Sequence, residues 1–144
     1  MAIVRMDHVS VIVDDLDAAE AFFAELGMER EGGARVEGQW VDRVNAIDGV
    51  RVEMVMMRTP DGHGKVELTR FLTPAATGGR SEPVNTLGLR TVMFEVDDIA
   101  DTVERLRGHG GELVGELADY EDFYRLCYLR GPAGIIVALA QQLR

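Results

Sequence analysis

His8-Val9-Ser10-Val11-Ile12-Val13-Asp14-Asp15-Leu16 returns, 83 residues further on and without a gap, as Thr91-Val92-Met93-Phe94-Glu95-Val96-Asp97-Asp98-Ile99. Each copy is an alternating, largely apolar run closed by two aspartates and an aliphatic residue. A strand, an acidic stop and a helix start therefore occur twice in the same order. Arg58-Thr59-Pro60-Asp61-Gly62 likewise returns as Arg130-Gly131-Pro132-Ala133-Gly134. A repeat of this kind makes the chain two copies of one supersecondary unit.

In the first copy, residues 3–13 alternate and then run apolar, which predicts a strand. Val9, Val11 and Val13 share one face of it; His8, Ser10 and Ile12 share the other. Asp14-Asp15 ends the strand, and one of the two caps the next helix. Leu16, Ala19, Phe22, Phe23 and Leu26 recur at helical spacing over 16–27, and Gly27 closes the helix. Residues 28–36 read as a weaker strand bent at Gly32-Gly33. Residues 39–47, with Trp40, Val41, Val44 and Ile47, read as a short helix or an ordered loop. From Val50 to Arg58 the chain alternates strongly, with Val50, Val52, Met54 and Met56 on one side and Val55 and Met57 on the other. Pro60-Asp61-Gly62 is turn chemistry. Lys65 to Phe71 is the returning strand, with Glu67, Thr69 and Phe71 opposite Val66 and Leu68. The second copy gives a strand over 89–97, a helix over 98–109 and strands near 112–118, 123–130 and 134–140.

Each half reads strand–helix–strand–strand–strand. The fold class is α+β: two tandem βαβββ modules, 1–72 and 89–144, joined by a Gly- and Pro-rich linker at 73–88 within one domain spanning 1–144. A single helix covers only one face of its sheet, so two such modules should pair. Long flat strand edges are a further reason to pair or to form a homodimer.

The chain has 144 residues, 47% of them hydrophobic, enough for a real core. No apolar run approaches the ~18 residues of a membrane-spanning helix. Cys127 is the only cysteine, so no disulfide can form within the chain. The first residues lack the pattern of a signal peptide. These features favour a cytoplasmic protein. A net charge of −10 is a poor match for nucleic acid or an anionic membrane, and serves solubility.

The order of elements and several motifs resemble the vicinal oxygen chelate superfamily. It includes glyoxalase I, methylmalonyl-CoA epimerase, bleomycin- and fosfomycin-resistance proteins and extradiol dioxygenases. The residues that carry the resemblance are Asp7 to Leu16, the helix end Phe22-Phe23-x-x-Leu26-Gly27, Val66-Glu67-Leu68, Met93 to Ile99 and Arg130-Gly131-Pro132-x-Gly134-Ile135-Ile136-Val137. The resemblance implies that the modules pair into an open, cleft-forming mixed β-barrel. In metal-dependent members each module gives the ion one ligand from its first strand and one from its last. The ion chelates two substrate oxygens and stabilises an enediolate or enolate.

In the first half His8 and Glu67 occupy those two positions. The imidazole suits Zn, Ni, Co, Mn or Fe, and the carboxylate can be a ligand or a base. In the second half the repeat puts Thr91 where His8 stands and Ala138 where Glu67 stands. The standard metal site is thus half lost, and two ligands fall short of the three protein ligands usual for catalytic zinc. Arg90 neighbours Thr91, but strand alternation aims it at the other face. His63 in a turn and His109 at a helix end read as surface residues. The segment Tyr120 to Tyr128 concentrates aromatic residues and charge; Tyr120, Tyr124 and Arg125 are candidate ligand contacts, and Trp40 and Met54 candidate walls of an apolar pocket. Arg43 and Arg51 read as solvated, and Cys127 as structural.

The resulting expectation is a glyoxalase/bleomycin-resistance-type protein that binds a small molecule in the cleft between modules without a required cofactor. The alternative is a metal-dependent lyase or epimerase of the glyoxalase I or methylmalonyl-CoA epimerase type, using His8 and Glu67. A third is a metal-free enzyme with Glu67 as base. A dioxygenase fits worst, because Thr91 removes one histidine of the facial triad it needs.

Overall fold

The computed structural model describes residues 2–79 and 81–144. The chain divides into two compact units, residues 1–78 and 79–144.

The first unit runs β1 (Val9–Ile12), α1 (Leu16–Leu26), β2 (Glu29–Glu37), α2 (Gln39–Asn45), β3 (Arg51–Arg58) and β4 (Lys65–Thr73). Its sheet has the order β1-β4-β3-β2, with β1 parallel to β4 and the other pairs antiparallel. The Asp15 carboxylate caps α1 by accepting from Ala18 N–H at 3.0 Å. Gly27 closes the helix at φ 120, a conformation open to glycine. Ala19, Phe22 and Phe23 are buried, as are Val11, Val55, Met57, Val66 and Leu68 on alternate positions of three strands. The Phe22 and Phe23 rings meet edge to face at 5.2 Å. A smaller cluster joins Val41 of α2 to Val50 and Val52, with Val36 and Phe71 against it. Asp42 fixes this corner, accepting from Gly49 N–H at 3.0 Å and Val50 N–H at 2.8 Å.

The second unit runs β5 (Thr91–Glu95), α3 (Ile99–Arg107), β6 (Glu112–Leu113), β7 (Ala118–Tyr120), β8 (Tyr124–Arg130), a 3-10 turn (Pro132–Gly134) and β9 (Ile136–Gln142). Its sheet has the order β5-β9-β8-β6, with β7 also on β8 and β5 parallel to β9. Asp98 caps α3 through Asp101 N–H at 3.1 Å. Ile99, Val103 and Leu106 are buried, together with Cys127, Leu129, Val137 and Leu139. Gly111 lies close against the end of α3: a Cβ there would come within 3.0 Å of the Leu106 carbonyl oxygen.

The duplication extends to hydrogen bonds. Val13 N–H donates to Thr69 O at 2.9 Å, and Val96 N–H to Ala140 O at 2.8 Å. Three expectations are corrected. The first strand spans only Val9–Ile12, because its partner β4 starts at Lys65 and pairing begins at Val9 with Val66. The residues before it leave Ile3, Val4 and Met6 exposed. The run expected at 112–118 is instead two short strands, β6 and β7, both paired to β8. The last strand starts at Ile136 rather than 134, because the 3-10 turn occupies Pro132–Gly134.

Phe22→Ala should destabilise the fold by about 3–5 kcal/mol, and Asp98→Ala by about 1 kcal/mol through loss of the cap. Urea denaturation followed by circular dichroism measures both; no change in midpoint for Phe22→Ala would show that this core is not structural.

Candidate functional site

Alternation along paired strands puts directly opposed residues on one face. In the first sheet Ser10 of β1 opposes Glu67 of β4, and Glu67 opposes Met56 of β3. The neighbouring row is Ile12, Thr69 and Met54. These side chains lie opposite the face that carries Val11, Val66 and Leu68. His8 precedes β1 and stands beside Glu67.

Glu67 is the hub. Its Oε1 accepts from the Thr69 hydroxyl at 2.8 Å and the Ser10 hydroxyl at 3.3 Å. Its Oε2 lies 3.3 Å from His8 Nε2. His8 Nδ1 is 2.7 Å from Asp7 Oδ1, and Arg5 reaches the other Asp7 oxygen at 3.0 Å. Hydrogen bonds from His8 first, and from Arg5, hold the Asp7 carboxyl below its ordinary range. With Nδ1 at Asp7, the other ring nitrogen, Nε2, is left to face Glu67. Asp7, Ser10 and Thr69 were not singled out from the sequence. Ser10 and Thr69 were nevertheless legible, since alternation placed each on the face of its strand's candidate ligand.

The second sheet repeats the register: Met93 opposes Ala138, and Ala138 opposes Tyr128. Ser10 and Met93 are repeat equivalents, so the frame sets Ala138 where the first unit has Glu67. Thr91, at the start of β5, matches His8. The row Ser10-Glu67-Met56 thus becomes Met93-Ala138-Tyr128. This donor set does not fit the superfamily's metal centre. The first unit supplies one imidazole and one carboxylate, and the second has only a hydroxyl and a methyl group at the equivalent positions. Among the described residues no three His, Cys, Asp or Glu side chains group so as to hold an ion.

Tyr120 and Tyr124 oppose each other on β7 and β8, and Tyr128 shares their face. Arg125 points to the other face, where its Nε bonds Asp119 Oδ1 at 2.8 Å. That bond pulls the Asp119 carboxyl below its usual range, so Arg125 already has its anion. Trp40 is exposed on α2, whereas Met54 is half-buried on β3. Arg51 pairs with Glu37 at 3.0 Å. Arg90 is a correction: it precedes β5, so strand alternation does not govern it. It lines the same hollow as Thr91 and Tyr128.

These sheets, their parallel outer pair and the two-fold repeat define a protein of the vicinal oxygen chelate class. The family model described as the glyoxalase/bleomycin resistance protein/dioxygenase superfamily matches residues 5–139, and the chain belongs to that superfamily. A glyoxalase family protein from Bacillus cereus is 51% identical over 100% of this chain and 99% of its own, with a TM-score of 0.95. Two more distant structures share the fold. A glyoxylase/bleomycin resistance protein/dioxygenase domain from Frankia sp. EAN1pec is 18% identical over 98% of this chain and 99% of its own, TM-score 0.66. An antibiotic binding protein from Streptomyces sp. CB03234 is 20% identical over 99% of this chain and 98% of its own, TM-score 0.61. No curated protein matches the chain significantly.

Cys127 is buried and burial pushes its thiol up. A maleimide should label it slowly in the folded protein and rapidly in urea; fast labelling of the folded protein would contradict the structural role.

Proposed function

We propose that this protein binds a small organic molecule without a metal ion, as a binding or sequestering member of its superfamily. The strand register carries the reading: Ala138 stands in the second unit where Glu67 stands in the first. A methyl group cannot ligate, and Thr91 is a poor ligand in place of imidazole. What the second unit offers instead is apolar and aromatic surface, with Met93, Tyr124 and Tyr128 partly exposed on one face. In the first unit, Met54 and Met56 flank Glu67, and thioethers adapt to varied ligand shapes. Glu67 then serves as a polar contact that orients the ligand. A protein of the same fold binds an antibiotic, which supports binding as a role open to this scaffold.

A second reading, a lyase or epimerase, is favoured by one observation. The 3.3 Å approach of His8 Nε2 to Glu67 Oε2 is the geometry of a pair able to take and return a proton. In that reading Glu67 is the base. We also assign the protein to the cytoplasm, supported by its single, buried cysteine. We assign it a homodimeric state, supported by the exposed Ile3, Val4 and Met6.

Elemental mass spectrometry of tag-free protein should find no stoichiometric metal, before or after incubation with Zn, Ni, Co, Mn or Fe. Near-stoichiometric metal that disappears in His8→Ala would overturn the metal-free reading. Glu67→Gln should weaken ligand binding by about tenfold at most, the worth of one hydrogen bond; under the second reading the same change abolishes turnover. Light scattering at micromolar concentration should give twice the 15.9 kDa chain mass, and a monomer alone would remove the dimer.

A further inference from the structure

The second unit contains an open hollow of about 600 Å³ between residues 84–91 and Tyr128 of β8. Its size is that of small-molecule sites, which run to roughly 300–1,000 Å³. Its lining is amphipathic: Leu87, Leu89 and Tyr128 are exposed apolar surface, and Thr86, Thr91 and Arg90 are polar.

Arg90, like Arg130, is held by main-chain carbonyls rather than by a carboxylate. Its Nε donates to Thr86 O at 3.0 Å and its Nη2 to Leu87 O at 2.8 Å. Both partners are neutral carbonyls, and Arg90 makes no ion pair among the described residues. Several other arginines pair instead with carboxylates, as Arg35 does with Glu53 and Arg51 with Glu37. Of five guanidinium N–H donors, the two carbonyls take one on Nε and one on Nη2. The remaining Nη1–Nη2 edge is the fork that matches a carboxylate. A half-buried cation with no ion pair among the described residues, lining a hollow, is open to an external anion, whose local attraction must outweigh the repulsion of a net charge of −10.

Two further observations agree. The hollow is built in advance: Arg130 Nη1 donates to Gly134 O at 2.9 Å and its Nη2 to Glu82 O, tying β8 to the start of the loop. Thr86 N–H turns back onto Pro83 O at 3.1 Å. An ordered loop loses little entropy when a ligand arrives. In addition, Tyr128 opposes Ala138 across the β8–β9 pair. Were a carboxylate there, as in the first unit, it would repel an anion; the methyl group does not.

We infer that this hollow binds a small organic anion, a carboxylate on an apolar or aromatic body. Arg90 grips the carboxylate through its Nη1–Nη2 edge, and Tyr128, Leu87 and Leu89 flank the body. The inference rests on the small-molecule reading above and names the ligand class.

The test uses 15N-labelled full-length protein titrated with 3-phenylpropionate and, in parallel, with the neutral 3-phenylpropionamide. Amide shifts should map to residues 84–91 and 128, the carboxylate binding about tenfold more tightly than the amide. Arg90→Gln should remove that preference. Because Arg90 also shapes the loop, Thr91→Asp and Thr91→Asn provide a second comparison that leaves its carbonyl bonds in place. The Asp variant should weaken the carboxylate about tenfold and spare the amide, while the Asn variant changes neither. Equal binding of the two probes, or shifts that map elsewhere, overturns the anion assignment and leaves small-molecule binding standing. No binding of either probe at millimolar concentration overturns the hollow as a site, whereas the metal measurement judges the broader reading on its own.

Discussion

The parallel pairing of the first strand of each unit with its last is the constraint on which the rest depends. β1 and β4 are more than fifty residues apart, yet their register sets which side chains meet. Val9 opposes Val66, so Ser10 must oppose Glu67. A slip of one residue would turn Glu67 into the apolar face and expose Val66 or Leu68. Those two residues are buried to within 2%, so the core itself enforces the alignment of the polar row. The second unit uses the same register between β5 and β9, and its core enforces it in the same way.

A shared frame with different side chains explains how one superfamily fold accommodates different chemistry. The first unit keeps a connected polar group: Asp7, His8, Glu67, Ser10 and Thr69 are joined at 2.7–3.3 Å. The second unit replaces the corresponding row with Met93, Ala138 and Tyr128. Charge changes with it. Where the first unit has the acidic Glu67, the second has the methyl group of Ala138, and Arg90 stands just before β5.

Much of this was legible in the sequence. The repeat gave the two modules, and the paired aspartates gave both helix starts, since Asp15 and Asp98 are the caps. His8 and Glu67 could be matched because each lies at a fixed offset from a buried strand residue. The rest depended on tertiary partners. Residues 3–8 have strand-like alternation but lie outside the pairing, which begins at Val9. β7 spans three residues and exists because β8 offers it an edge. The Asp119 partner of Arg125 depends on the β7–β8 pairing and could not be read from spacing, and Arg90 looked misdirected because alternation was applied one residue before the strand began.

The two arginines that shape the 82–91 loop take hold of main-chain oxygens, an atom every amino acid supplies. Apart from Gly88, whose φ of 107 favours glycine, the path of that loop therefore depends little on which side chains it displays. Residues such as Asn85, Leu87 and Leu89 can be exchanged in evolution, or in the laboratory, with little effect on the trace that presents them. Such an arrangement separates the shape of the loop from the side chains the loop displays.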